Sequence, residues 1–494
     1  MTTQSTNMAS RTGAAHGPDR LARRMIAISL AITGIILLLM MLFGILMRMA
    51  QGGWLDLRPD VFYQLLTMHG TGMVGLATLG GLSIMWNFAS HYIRVNGMVL
   101  VVNLVLFLAG VVLMLAATFW GGYSGAWTFL YPLPAVSGGV WSAGAAFWFL
   151  LGLLLVGVGL LLACLELARG IIVQYGGLAS GLGWPYLFGV RDAVVPPKVI
   201  VATSMSVLVT TLALVGGAVI LVLSLINLVV PEFALDPLWS KNIIYFFGHT
   251  LINATIYMAV TAVYSILPEY AGREWKTSRI FVAAWMGSTI MVLVIFPHHL
   301  LMDFVMPTWT VVMAQILSYT NSFPVLVVTG LGAIAVVHRS GIRWDMASGL
   351  LFLGIFGWMA GVIPAVIDAT IVMNSVMHNT MWVPGHFHFY LLIGLIPMIL
   401  GFMYHSTRDR TDGAARETGQ RWIAAVYAVA ALGFVTMFLL GGANSVPRRW
   451  AVHMVEWMAY DRWASVFAIL VTLAALVFVL RYLTRLPRYL AATD

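Results

Sequence analysis

Charge and cysteine are both scarce in this chain. Asp, Glu, Lys and Arg make up 9% of its 494 residues, while 61% are hydrophobic. A soluble domain of that size carries far more surface charge. The soluble classes are therefore excluded, and an all-α polytopic membrane protein is expected. The single cysteine, Cys164, lies in an apolar run. That excludes a disulfide framework, a Cys-x-x-Cys-His heme attachment and a thiolate pair for copper; Cys164 itself reads as a small core residue. The net charge of +8 does not point to nucleic acid, because the basic residues sit in short loops between apolar spans. Residues 1–23 read as a disordered N-terminal tail, 24–488 as one membrane core and 489–494 as a C-terminal tail. The first apolar run is too long for a signal-peptide core and is followed by further spans.

Apolar runs of about 20 residues or more mark membrane helices. Twelve are expected, at 24–49, 61–90, 95–120, 138–168, 198–230, 241–267, 279–304, 309–338, 346–374, 377–404, 421–441 and 460–485. No linker separates domains, and no internal repeat stands out. An even number of spans puts both termini on one side. Of the 26 Lys and Arg, Arg48, Arg58, Lys241, Arg448, Arg449 and Arg462 fall on the opposite side and all others on the terminal side. The positive-inside rule then makes both termini cytoplasmic, in a bacterial or archaeal plasma membrane.

Against this background stand 12 histidines. His16, His91, His338, His405 and His453 fall in tails, loops or span ends, where solvation is the expectation. His69, His249, His298, His299, His386 and His388 are intramembrane. Counted along their spans at ~1.5 Å per residue, all six lie within about 8–17 Å of the outer surface. One buried imidazole is usually a satisfied core residue. Six at one depth, in a medium where polar groups are costly, call for something that holds them. Metal is the economical holder, since neutral imidazole is the commonest metal-ligating side chain.

The spacings sharpen this. Residues two apart on a helix point ~200° apart, so His386 and His388 can serve two separate cofactors. His298 and His299 diverge by only ~100°, and Pro297 can loosen the turn so that both aim at one metal. His249 supplies a third ligand. Three imidazoles with an open position suit a copper or iron that binds a small molecule.

Met68-His69-Gly70, Gly248-His249, His298-His299, His378-Asn379-Thr380, Gly385-His386-Phe387-His388 and Pro447-Arg448-Arg449-Trp450 occur in that order on successive spans. Together they resemble subunit I of the heme–copper oxidase superfamily, across the twelve-span core. The resemblance implies two hemes and one copper. His69 and His388 would be the axial ligands of a low-spin heme, His386 would hold a high-spin heme, and His249, His298 and His299 would hold copper. Arg448 and Arg449 would pair with heme propionates, with His378 nearby. The Arg pair also needs an anionic partner on its own account, lying on the side poor in positive charge. The segments His378-Asn-Thr-Met-Trp-Val-Pro-Gly-His386 and Tyr264-Ser-Ile-Leu-Pro-Glu-Tyr-Ala-Gly272 resemble the B-type branch.

One departure bears on the substrate. Oxygen reductases of this type carry a tyrosine four residues after the span 6 histidine, where this chain has Asn253. Splitting O₂ in one step takes four electrons: ferrous heme gives two, cuprous copper one and the tyrosine the fourth. Coupling two NO molecules takes two, one from each metal. Asn253 therefore favours nitric oxide reduction, with O₂ reduction to water as the alternative. Another branch carries its tyrosine on span 7, but span 7 here has none; Tyr257 and Tyr319 are the candidate substitutes. The best-known NO reductases use iron as second metal with glutamates nearby. No glutamate lies near the metal layer, Asp303 and Asp368 being the nearest carboxylates, so copper is expected.

Both reactions consume protons. Tyr257 and Tyr264 continue the His249–Asn253 face toward the cytoplasm, and Ser318, Tyr319, Thr320, Asn321 and Ser322 add polar groups on span 8. This resembles the single proton path of B-type enzymes. With no c-type heme or dinuclear copper motif of its own, the chain is expected to pair with a second subunit bearing a copper or c-heme donor centre on the periplasmic side. A heme-free transporter with polar groups in broken helices is the alternative of another class.

Overall fold

A computed structural model describes residues 17–127, 129–303, 305–342, 344–408 and 421–491. Residues 1–16 with His16, residues 409–420, residues 492–494 and the side chains of Ser322, Val325 and Leu326 lie outside the described residues. Those described form helices joined by loops and turns, with no strand beyond one isolated bridge between Thr380 and Pro447.

Eleven helices are long and apolar enough to cross a membrane. They are α1 (Arg20–Gln51), α2 (Pro59–Ala89), α3 (Met98–Phe119), α4 (Ala143–Tyr175), α5 (Lys198–Val229), α6 (Pro237–Ala271), α7 (Arg279–Val294, extended by a 3-10 turn Phe296–Leu300), α9 (Met346–Asp368), α10 (Trp382–Ser406), α11 (Arg421–Ala443) and α12 (Met458–Ala491). The eighth expected span, 309–338, is not one helix. It runs as α8 (Thr308–Thr320), a short turn Ser322–Val325, a π-helical stretch Leu326–Gly330 and a last helix Leu331–Val337. Pro324 within it removes a backbone donor and crowds the preceding turn.

Several boundaries follow from local chemistry. Asp19 accepts a hydrogen bond from the Ala22 N–H at 2.7 Å, so α1 starts at Arg20 and takes in residues expected in the tail. Asp236 and Ser278 cap α6 and α7 in the same way, and Gly272 ends α6 at φ 59°. The tenth span starts at Trp382 rather than 377, because Ile371–Met377 is a separate short helix. Between them, Met381 N–H donates to Val446 O at 2.8 Å and Arg448 N–H to Asn379 O at 2.9 Å. The loop carrying the arginine pair is thereby pinned to the start of α10. At the other end of the chain, α12 runs on to Ala491, past the expected tail boundary.

The bundle has central and peripheral helices. In α6 and α10, 83% of the most apolar window is buried inside the protein, against 33% in α3 and α11. The outer helices turn residues such as Val105 and Val112 outward, as lipid-facing surfaces do. Close approach between α3 and α4 depends on glycine: a Cβ on Gly110 would sit 2.4 Å from Gly152 O. Such small-residue contacts replace the hydrophobic drive that lipid removes. Cys164 is fully buried in the core, as expected.

Candidate metal centre

The central helices enclose one cavity of about 430 Å³, within the usual range of cofactor sites. All six intramembrane histidines line it, together with His378, Arg448, Arg449 and Asn253. The cavity divides into two stations, on the two sides of α10.

At the first, His69 of α2 and His388 of α10 face each other with ring centroids 6.1 Å apart and planes 18° from parallel. His69 Nδ1 lies 2.7 Å from Met40 O, and His388 Nδ1 lies 2.7 Å from Pro384 O. A carbonyl only accepts, so each proton sits on Nδ1 and each Nε2 lone pair is free to ligate. Two metal–nitrogen bonds of about 2 Å plus two ring half-widths come to about 6 Å, the separation observed. Gly44 clears space beside His69, where a Cβ would meet Cε1 at 3.0 Å. Phe434 and Phe438 pack edge-on against His388. These residues fit a flat macrocycle with two axial imidazoles.

The second station holds His249, His298 and His299, whose candidate ligand atoms all lie within 4.8 Å of one another. His249 Nδ1 stands 3.1 Å from His299 Nε2, the spacing that ~2 Å bonds to one metal would set. The turn at Pro297 is tightened rather than loosened: α7 passes into a 3-10 segment, and this change of winding carries both histidines to the same site. Ser318 Oγ donates to Ala314 O and so accepts from His298 Nδ1–H at 2.9 Å, fixing that ring with Nε2 free. The set is three neutral imidazoles with no glutamate lining the cavity, a donor set for copper. Asn253, one turn from His249, turns its amide back to donate to His249 O at 2.8 Å.

His386 lines the same cavity from α10, between the stations. Its Nδ1 is buried without a hydrogen-bond partner, 3.7 Å from Asp368 Oδ2. Above, Arg448 and Arg449 make no ion pair among the described residues. Burial, and then the neighbouring Arg449, push Arg448 down to about 10. Burial, and then Arg448, hold the His378 imidazole below its usual pKa. An anion at this end would relieve both.

The residues expected along a proton path divide. Tyr257 and Tyr264 are buried on α6. Tyr264 OH bonds Thr329 Oγ1 at 2.9 Å and accepts from Trp285 Nε1 at 3.1 Å. Ser318 belongs instead to His298. Tyr319 turns its hydroxyl to Thr370 at 2.7 Å and does not line the cavity.

Other residues were not singled out by sequence. Tyr390, four residues beyond His386, places its hydroxyl 3.4 Å from Asn253 O. Tyr245, four before His249, stacks on His299 at 5.4 Å and 17°. His453, expected to be solvated in a loop, is 2% exposed. Its Nδ1 lies 2.6 Å from Asp461, which also pairs with Arg48 at 2.9 Å. Gln51 Nε2 is 3.2 Å from His453 Nε2. Arg48 and His453 thus belong to a buried network beside the first station rather than to a wet outer surface. The i, i+4 spacing from known histidines could have found Tyr245 and Tyr390. Nothing local marks Asp461, whose partner Arg48 lies 413 residues away.

Residues 24–477 match the family described as Cytochrome C and Quinol oxidase polypeptide I. Cytochrome c oxidase subunit 1 of Thermus thermophilus is 25% identical over 268 residues, 50% of this chain and 47% of that protein. Cytochrome c oxidase polypeptide 1 of Halobacterium salinarum is 24% identical over 378 residues, 72% and 58%. The chain therefore matches 47% and 58% of the length of these two relatives. Cytochrome c oxidase subunit 1 of Synechocystis is 23% identical over 447 residues, 86% and 76%. The cryo-EM structure of a heme-copper terminal oxidase dimer aligns with a TM-score of 0.73 over 95% of this chain and 84% of that one, at 18% identity. This last likeness supports the fold.

Proposed function

Since the chain belongs to the Cytochrome C and Quinol oxidase polypeptide I family, an oxidoreductase family of multi-pass membrane proteins, we propose that it is the catalytic subunit of a respiratory reductase that converts nitric oxide to nitrous oxide. His69 and His388 hold a low-spin heme, His386 a high-spin heme, and His249, His298 and His299 a copper ion. When bound, these groups supply the one-electron transfers and the attachment point for the gas. Arg448, Arg449 and His378 hold the carboxylate edges of the hemes, matching the unpaired positive charge at that end of the cavity. The motifs at residues 378–386 and 264–272 resemble those of the B-type branch. A heme-free transporter has no place in this family.

The observation that carries the substrate reading is Asn253. It stands one turn from His249, and its amide is tied to the helix backbone at 2.8 Å. An amide gives up neither an electron nor a proton under these conditions. The site is thereby suited to a reaction that needs two electrons: two NO, two electrons and two protons give N₂O and water. Apolar walls, among them Ile252 and Val366, keep bulk water from the gas. Protons arrive from the cytoplasmic side past Tyr264, Thr329 and Tyr257, with Trp285 fixing the Tyr264 hydroxyl. Electrons come from a second subunit with a copper or c-heme centre, docked over the Arg448–Arg449 side. Both termini lie in the cytoplasm and the chain sits in a plasma membrane.

Tyr390 favours a second reading, O₂ reduction to water. Its phenol lies 3.4 Å from Asn253 O, beside the position where related oxygen reductases carry their tyrosine, and the relatives above are named cytochrome c oxidases. Gas-consumption measurements on the purified enzyme with a reduced donor separate the readings. N₂O production supports the first, and four-electron O₂ uptake the second.

A further inference from the structure

Five candidate ligand histidines have their second ring nitrogen near a polar group on another residue, and the partners differ; for His249 it is the Asn253 amide nitrogen, 3.4 Å away. His69 and His388 donate to backbone carbonyls, and His298 to a hydroxyl. His386 alone faces a carboxylate: its buried, unpartnered Nδ1 stands 3.7 Å from Asp368 Oδ2. Asp368 is the last residue of α9, the end of a helix where the macrodipole disfavours a negative charge. It is nonetheless held in place. Asn374 Nδ2 lies 3.2 Å from Asp368 Oδ1 and donates to Asp368 O at 2.7 Å. One carboxylate oxygen is thus anchored while the other points toward the imidazole.

Resting on the assignment of His386 to the high-spin heme, we propose that Asp368 is a positioning residue that accepts the His386 Nδ1–H and makes this imidazole a stronger donor than the two that hold the low-spin heme. Closing from 3.7 Å to hydrogen-bond length takes under ~1 Å, within reach of a side-chain adjustment. A charge-assisted bond to an anion draws the proton away from the ring and raises electron density at Nε2, whereas a carbonyl does so weakly. A more basic axial ligand stabilises the oxidised iron, so the high-spin heme becomes harder to reduce than it would be with a carbonyl as the second partner. The protein thereby sets the two hemes apart through their second partners, although both are held by α10.

The test compares Asp368→Asn and Asp368→Glu in the purified holoenzyme. The readouts are the iron–histidine stretching band of the reduced high-spin heme, by resonance Raman, and a redox titration of both hemes. Asp368→Asn is expected to lower the band and make the high-spin heme about tenfold easier to reduce, ~59 mV for a one-electron couple. The low-spin heme should not move, and Asp368→Glu should restore much of both effects. An unchanged band and potential in Asp368→Asn, with both hemes bound, overturns the proposal. If Asp368→Asn binds no high-spin heme, Asp368→Glu decides: a retained heme with a near wild-type band supports the proposal, and a heme-free protein overturns it. His386→Ala checks the underlying assignment separately. Loss of the low-spin rather than the high-spin signal there would remove the assignment, whatever Asp368 does.

Discussion

The imidazoles of His69 and His388 stand 6.1 Å apart, 18° from parallel, and each is fixed by its own backbone carbonyl. Neither ring needs the other, or a metal, to hold its orientation. The pair is therefore preorganised to take an iron between two free Nε2 atoms. His386, two residues before His388, is turned toward Asp368 on the far side of the same helix.

His388→Ala is expected to abolish the low-spin heme spectrum and leave the high-spin heme largely bound. Optical spectra of the reduced protein read this directly. Loss of the high-spin signal alone would reverse the two assignments.

Metal analysis should find one copper and two heme irons per chain. The three imidazoles have no glutamate beside them in the cavity lining, which favours copper. A third, non-heme iron in place of copper would contradict this.

Ser318→Ala removes the hydroxyl that orients His298. Loss of such a second partner costs about 10–100-fold in metal affinity. Chelator competition should show copper leaving at correspondingly lower chelator, with both hemes retained. Wild-type retention would show that the ring is held by packing alone.

The Arg48–Asp461 pair has side chains only 10% and 3% exposed. Asp461→Ala leaves the guanidinium buried without its partner, and the expected loss is ~3–5 kcal/mol, read as a lowered thermal midpoint in detergent. Replacing both residues with apolar ones of similar volume should recover part of it. Equal melting of wild type and Asp461→Ala would show that the pair contributes little.

Much of the architecture could be read from the chain, because spans are set by local hydrophobicity. So could the three-imidazole set: Pro297 beside His298 and His299 marks a change of helical winding, although the turn tightens into a 3-10 segment rather than loosening. The break in the eighth span had a local signal, since the polar run 318–322 stands directly before Pro324, but the apolar residues on its two flanks together reach spanning length and mask it. Asp368 and His386 come together across a loop and a short helix, and Arg48 and Asp461 from opposite ends of the chain. Contacts of that kind leave no periodicity. His453 was misjudged for the same reason: its loop position implied water, but Asp461 and Gln51 close over it.

The most direct test of the proposed function is turnover of the wild-type enzyme with a reduced donor, first under NO without oxygen and then under O₂. Asn253 at the tyrosine position predicts one N₂O formed per two NO consumed, with weak or absent O₂ uptake. Robust four-electron O₂ reduction without peroxide release would contradict the account, and would make Tyr390, beside Asn253, the first residue to test as the missing donor.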